Sequence, residues 1–180
     1  MALRNILRSG DPSLLKKSRE VTDFNKRLHV LIDDMRETLL DANGLGLAAP
    51  QVGVLRRVIL VVDMSIETED PEERLIELVN PVIIAKSGEQ EGSEGCLSLP
   101  GLYGIIKRPA LARVRAQDRY GNEFELWGKD LTARALCHEC DHLDGVMFTT
   151  LTDELMTEDQ LNELMAELEE EEAKESQIND

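Results

Sequence analysis

Basic residues are scarce in this sequence: 20 Lys and Arg stand against 36 Asp and Glu in 180 residues, for a formal net charge of −16 and a sequence pI near 4.6. Clustered cations are what neutralise a phosphate backbone and release its counterions, so direct nucleic-acid binding is not expected. Long hydrophobic runs are missing as well. The longest strongly apolar stretch, Val58 to Val62, falls far short of the roughly 20 residues that cross a bilayer. The opening MALRNILRSGDP holds neither a continuous apolar region nor a small-residue cleavage pattern. These absences predict a soluble, cytoplasmic protein with no membrane partner.

Cysteine is limited to Cys96, Cys137 and Cys140, too few and the wrong number for a disulfide framework, which points to a reducing compartment. No internal repeat and no Pro/Gly/Ser linker divides the first 150 residues. With 42% hydrophobic residues, the chain can close one ordinary core but not two. A single domain is expected, with residues 1–150 as its catalytic body and 151–180 as an acidic C-terminal helix and tail of the same domain.

What is present reads as mixed helix and strand. Phe24, Leu28, Leu31, Ile32, Met35 and Leu39 recur at helical spacing, predicting a helix capped by Asp23, running to about Leu40 and stopped by Asn43-Gly44. Arg57 to Asp63 reads as a buried strand, and Leu75 to Ala85 as extended chain interrupted at Pro81. Leu111 to Gln117 and Glu123 to Trp127 form a hairpin around Tyr120-Gly121-Asn122. A second helix should begin near Asp130, carry Leu131 through His142 and end before Asp144-Gly145. From Asp153 onward, Leu161, Leu164, Met165 and Leu168 make a helical stripe in a segment with 12 acidic residues and one Lys. The run Glu169 to Glu172 repels itself, predicting a solvated helix end that gives way to a disordered tail.

The chemistry concentrates in His138-Glu139-Cys140-Asp141-His142, an HExxH pattern. On a helix the two histidines lie about 40° apart, Glu139 about 100° from His138, and Cys140 and Cys137 at about 200° and 260°. Both imidazoles can therefore meet one metal ion while Glu139 flanks it, and Cys137 and Cys140 turn toward the core. A Cys137-x-x-Cys140 redox or structural-zinc pair is the competing reading, but no second CxxC accompanies it. Catalytic metals of this kind keep three protein ligands and one open position. Cys96, in the tight segment Glu94-Gly95-Cys96-Leu97-Ser98, suits the third place.

The sequence resembles the peptide deformylase family, of the bacterial metal-dependent type. The likeness rests on three motifs in order: Gly44-Leu45-Gly46-Leu47-Ala48-Ala49-Pro50-Gln51, the Glu94 to Ser98 segment, and the HExxH pattern. It extends over residues 3–150 and leaves the acidic tail outside. The resemblance implies hydrolytic removal of the N-formyl group from the N-terminal methionine of nascent polypeptides, with release of formate. It implies Cys96, His138 and His142 as ligands of one divalent metal, natively iron(II) in many members, with zinc, nickel or cobalt as substitutes. Glu139 becomes the acid-base residue, and Gln51 with the backbone N–H of Leu97 become oxyanion donors. Leu45 and Gly46 would bind the peptide in strand fashion, and Arg108 would contact substrate carbonyls, although a structural ion pair competes for Arg108. The partners implied are formyl-methionyl peptides. In some bacterial relatives a basic C-terminal helix docks to the ribosome; the acidic segment here makes that docking mode unexpected and leaves only transient proximity. Cys137 and Cys140 depart from the Gln and bulky apolar residue common at those positions, without removing a ligand.

The fold expected is α+β, with short, mostly antiparallel sheets around the HExxH helix and a C-terminal helix. Two alternatives remain open from the sequence: a zinc endopeptidase, since HExxH supports amide hydrolysis generally, and a metal-binding interaction module.

Overall fold

The computed structural model describes residues 2–178, with side chains described through Glu169. Its elements run α1 (Lys26–Asp41), β1 (Gly46–Ala48), β2 (Val58–Val62), β3 (Leu75–Ser87), β4 (Gln90–Cys96), β5 (Leu99–Arg108), β6 (Leu111–Gln117), β7 (Glu123–Lys129), α2 (Leu131–Leu143), β8 (Leu155–Thr157) and α3 (Glu158–Ile178). The strands form two antiparallel sheets, one in the order β1-β2-β3-β6-β7 and one in the order β4-β5-β8. The α+β expectation holds. Among the described residues no helix is long and apolar enough to cross a membrane.

The apolar run of β2 is explained by helices on both faces of its sheet. Val58 and Leu60 join Leu28, Ile32, Met35 and Leu39 of α1 in one core cluster. Ile59 and Val61 join Ala135, Leu136 and Leu143 of α2 in another. Alternate side chains of one strand thus feed both layers, and a strand buried on both faces needs no polar alternation. This packing holds α2 against β1 and β2, where the first and third sequence motifs meet.

Several boundaries differ from expectation for local reasons. Asn25, not Asp23, caps α1: it is extended, and its side chain accepts from the N–H groups of Arg27 at 2.9 Å and Leu28 at 3.3 Å. Pro81 does not divide β3. The strand passes it through a bulge, with Asn80 at φ 51 and its amide tied to Val21 and Gln117. The hairpin of β4 and β5 had no counterpart in the sequence reading. Its glycines at 92, 95, 101 and 104 supply no strand signal, and Cys96 ends a strand rather than sitting in a loop. The helical stripe from Leu161 lies in α3, which stays helical to Ile178 where a disordered tail was expected; residues 179–180 lie outside the described residues. β8 pairs with β5 and attaches the C-terminal segment to the smaller sheet.

Candidate active site

The glycine-rich first motif folds as β1 followed by a one-turn 3-10 segment, Ala49–Val52, which carries Gln51. Gln51 is buried, at 1% exposure. Its Oε1 accepts from the Ala48 N–H at 2.8 Å, which turns the amide nitrogen toward Cys96 Sγ at 3.5 Å and Ser98 Oγ at 3.3 Å. The turn after β4 is held from outside: Arg8 donates to the Leu97 carbonyl at 2.6 Å, and the Ser9 N–H to the Ser98 carbonyl at 2.9 Å.

Helix α2 presents His138 and His142 to this turn. Cys96 Sγ lies 3.3 Å from His142 Nε2, and the ligand atoms of Cys96, His138 and His142 fall within 4.8 Å of one another. A tetrahedral site with sulfur at about 2.3 Å and nitrogen at about 2.0 Å has S···N edges of about 3.5 Å, so the Cys96–His142 separation matches one edge of such a site. His138 Nδ1 is held by Glu94 at 2.9 Å, which leaves its other ring nitrogen for the cluster. Burial alone would lower His138, but hydrogen bonds to Cys96 and Glu94 outweigh it and raise the group to about 10. Burial takes His142 the other way, down to about 3, assisted by the charge on His138. Sulfur and imidazole donors of this spacing fit a divalent transition metal.

Glu139 flanks the cluster and is 4% exposed. Its carboxyl lies flat against β1. A Cβ added at Gly46 would meet Glu139 Oε1, with Cγ at 2.6 Å and Cδ at 2.8 Å, so only glycine leaves the carboxyl room there. Burial raises Glu139 to about 7, and its Oε2 has no hydrogen-bond partner among the described residues. A carboxyl poised near neutrality with one oxygen free is suited to both taking and giving a proton.

These groups border a cavity of about 630 Å³. Of the residues expected to contact a substrate, Leu45, Gly46, Gln51 and Leu97 line it. Arg108 does not. Its guanidinium is buried against Glu94 at 2.7 and 2.9 Å and Asp141 at 2.7 Å, so the ion-pair reading replaces the substrate contact. Cys137 and Cys140 are core residues: Cys137 packs with Ala112 and Ala133, and Cys140 with Leu136 and Leu143. Burial pushes the Cys140 thiol up to about 12 and raises Cys137, as suits inert thiols.

Two functional side chains had no role in the sequence reading. Glu94 binds His138 and is clamped by Arg108 and by Arg134, whose Nη1 lies 3.0 Å from Oε1. Glu94 was visible as the first residue of the cysteine motif, and Arg134 precedes His138 by one helical turn, a spacing that puts both on neighbouring faces. Against an opposing burial effect, hydrogen bonds from Arg108 and His138 lower Glu94 from 4.5 to about 2. A carboxylate with a depressed folded-state value adds stability above its unfolded value and loses it as pH falls. The metal-free protein should therefore lose about 3 kcal/mol from this group between about pH 5 and pH 2. Urea midpoints at pH 6 and pH 3 check this: the pH-dependent loss should shrink in Glu94→Gln, and an equal loss in both proteins would assign it elsewhere.

The polypeptide deformylase family model matches residues 3–158. The chain belongs to the peptide deformylase family. It is 50% identical over 148 residues to the peptide deformylase of Caldanaerobacter subterraneus subsp. tengcongensis, covering 82% of this chain and 88% of that protein. Among solved structures, the peptide deformylase from Legionella pneumophila is 37% identical, covers 99% of each chain and superposes with a TM-score of 0.77. The Met-Ala-Ser-bound class I type b peptide deformylase from Acinetobacter baumannii is 30% identical, covers 84% of this chain and 99% of that one, and gives a TM-score of 0.77. Members of the family are metal-dependent hydrolases that remove the N-formyl group from the N-terminal methionine of nascent peptides, and that is the activity of this chain. The peptidase and interaction-module readings fall with that assignment.

Proposed function

We propose that deformylation takes place in the 630 Å³ cavity, with Cys96, His138 and His142 holding the metal and Glu139 moving the protons. The observation that carries this reading is that Glu139 and the Gln51 amide flank the same Cys96, His138 and His142 cluster. A divalent metal held there supplies Lewis acidity, polarising the formyl carbonyl and acidifying a water. Glu139 takes a proton from the attacking water as its oxygen bonds to the formyl carbon. It then delivers that proton to the amine as the C–N bond breaks, so formate and a free amino terminus leave. Gln51 Nε2 and the Leu97 N–H donate to the oxygen that becomes anionic.

β1 is the edge of its sheet, and among the described residues only its β2 side is paired. The free side at Leu45 and Gly46 can therefore accept an extended peptide as an added strand. The tripeptide named in the Acinetobacter baumannii structure is of the length such an edge would hold. Arg108 takes a positioning role in this scheme, since its donors are committed to Glu94 and Asp141. The native metal in our reading is iron(II), with zinc, nickel and cobalt able to occupy the same donors. The enzyme works in the cytoplasm, in transient proximity to the ribosome. The acidic α3, with a single Lys in its sequence, offers no basic patch for docking to RNA. Residues 151–180 extend the domain through the pairing of β8 with β5.

The deciding assay is formate release from formyl-Met-Ala-Ser by anaerobically prepared iron(II) protein. Formate should appear in proportion to peptide consumed and stop on chelation, while an internal peptide stays uncut; cleavage of the internal peptide without formate would overturn the reading. Gln51→Leu removes one oxyanion donor at a buried position and should lower kcat about a hundredfold to a thousandfold with metal content unchanged. An unaltered kcat would leave the oxyanion to other groups.

A further inference from the structure

Arg134 lies outside the proton-transfer machinery yet is almost fully buried, at 6% exposure. Its Nη1 donates to Glu94 Oε1 at 3.0 Å and to the carbonyls of Ile106 at 3.0 Å and Gly92 at 3.2 Å. Nη2 reaches the Gln90 carbonyl at 3.5 Å. One side chain of α2 is thereby tied to β4, to β5 and to the carboxylate that holds His138 Nδ1. We propose that Arg134 is a positioning residue for the metal site: reaching from α2 to the carbonyls of the β4–β5 hairpin, it pins the Glu94 carboxylate between the two elements, so that Glu94 fixes the ring plane and tautomer of His138.

Arg108, the last residue of β5, grips both oxygens of Glu94 from within the hairpin through Nε and Nη2 and meets α2 through Asp141. Arg134 comes from α2 itself and binds the Glu94 carboxylate and the backbone carbonyls of the hairpin carrying Cys96 at once. Two ligands come from α2 and one from the end of β4, so their mutual geometry depends on how firmly these elements are registered. The close approach at Gly92 belongs to the same device. A Cβ there would stand 3.2 Å from Arg134 Nη2, tight enough to displace the guanidinium by a few tenths of an ångström.

The inference rests on the assignment of His138 as a metal ligand, and the test separates the two. Cobalt(II) is titrated into the metal-free protein against a competing chelator, with the visible absorption of the bound ion as a second readout. Arg134→Met, which keeps an unbranched apolar stem and removes the donors, should bind cobalt about tenfold to a hundredfold more weakly, with altered absorption bands. Arg134→Lys should recover part of the loss, because one ammonium can reach Glu94 but not also every carbonyl. Gly92→Ala should weaken binding several-fold in the natural background and have no further effect in Arg134→Met, which also keeps the test decisive if the Met variant fails to fold. If the natural protein binds no cobalt, the ligand assignment fails. If it does, and Arg134→Met or Gly92→Ala binds cobalt with unchanged affinity and spectrum, Arg134 is only a brace between helix and hairpin.

Discussion

Glu139→Gln is expected to keep its metal and lose about a hundredfold to ten-thousandfold in kcat, the range that a general base in the reacting geometry supplies. That factor corresponds to about 2.7 to 5.5 kcal/mol of barrier. Glutamine preserves the shape that Gly46 accommodates against β1, but its amide cannot accept the proton of the attacking water. The ligand set is untouched, because Glu139 lies about 100° around the helix from His138. Stability should move the other way from activity. Burial holds the carboxyl near 7 against 4.5, so ionising it in the metal-free fold costs free energy at higher pH, and a neutral amide avoids that cost. The metal-free variant should therefore melt no lower than the natural protein at pH 8. Metal analysis, single-turnover formate release and thermal melts together check this. Loss of metal in step with activity would make Glu139 part of the cation's support rather than the base.

Much of this site could be read from spacing because one helix carries most of it. The 3.6-residue period alone separates His138 and His142 from Cys137 and Cys140, and the cysteines do pack in the core. Cys96 and Gln51 could be proposed from their motifs, but their convergence with α2 depends on long-range pairing that no local pattern encodes. The first motif must turn from β1 into a 3-10 segment, and the second must end a strand. The role of Gly46 shows the limit most clearly: the resemblance implies a peptide contact there, and only the structure reveals that the buried carboxyl of Glu139 packs against it.

The fold was legible where one physical signal dominated. β2 announces itself because both of its faces are covered, and α1 because its apolar residues keep one face. The β4–β5 hairpin was silent because its glycines interrupt the side-chain pattern; it is held by pairing along its length, with Ile106 buried and Glu94, Arg108 and Arg134 in one buried ion-pair network. The resemblance leaves Arg108 between a substrate contact and a structural ion pair, and only the tertiary fold reveals that both oxygens of Glu94 hold it.

Cys96→Ala should lose metal affinity outright, well beyond the tenfold to hundredfold that loss of a supporting partner costs, and with it all formate release at ordinary metal concentrations. Alanine removes the one soft, anionic donor and leaves two imidazoles, which hold first-row divalent ions far less tightly than the three-ligand set. The fold should persist, because Cys96 is only partly buried at the end of β4 and the turn after it is held independently by Arg8, Ser9 and the pairing of Cys96 with Leu99. Gln51 loses only its contact to the sulfur and keeps Ala48 and Ser98. In the cobalt(II) protein the sulfur-to-metal charge-transfer band should vanish, a signature that neither Cys137→Ala nor Cys140→Ala removes, since both thiols are buried away from the cluster. A Cys96→Ala protein that still bound cobalt at natural affinity, or a charge-transfer band that vanished on replacing Cys137 or Cys140 instead, would move the sulfur ligand from the hairpin to the helix.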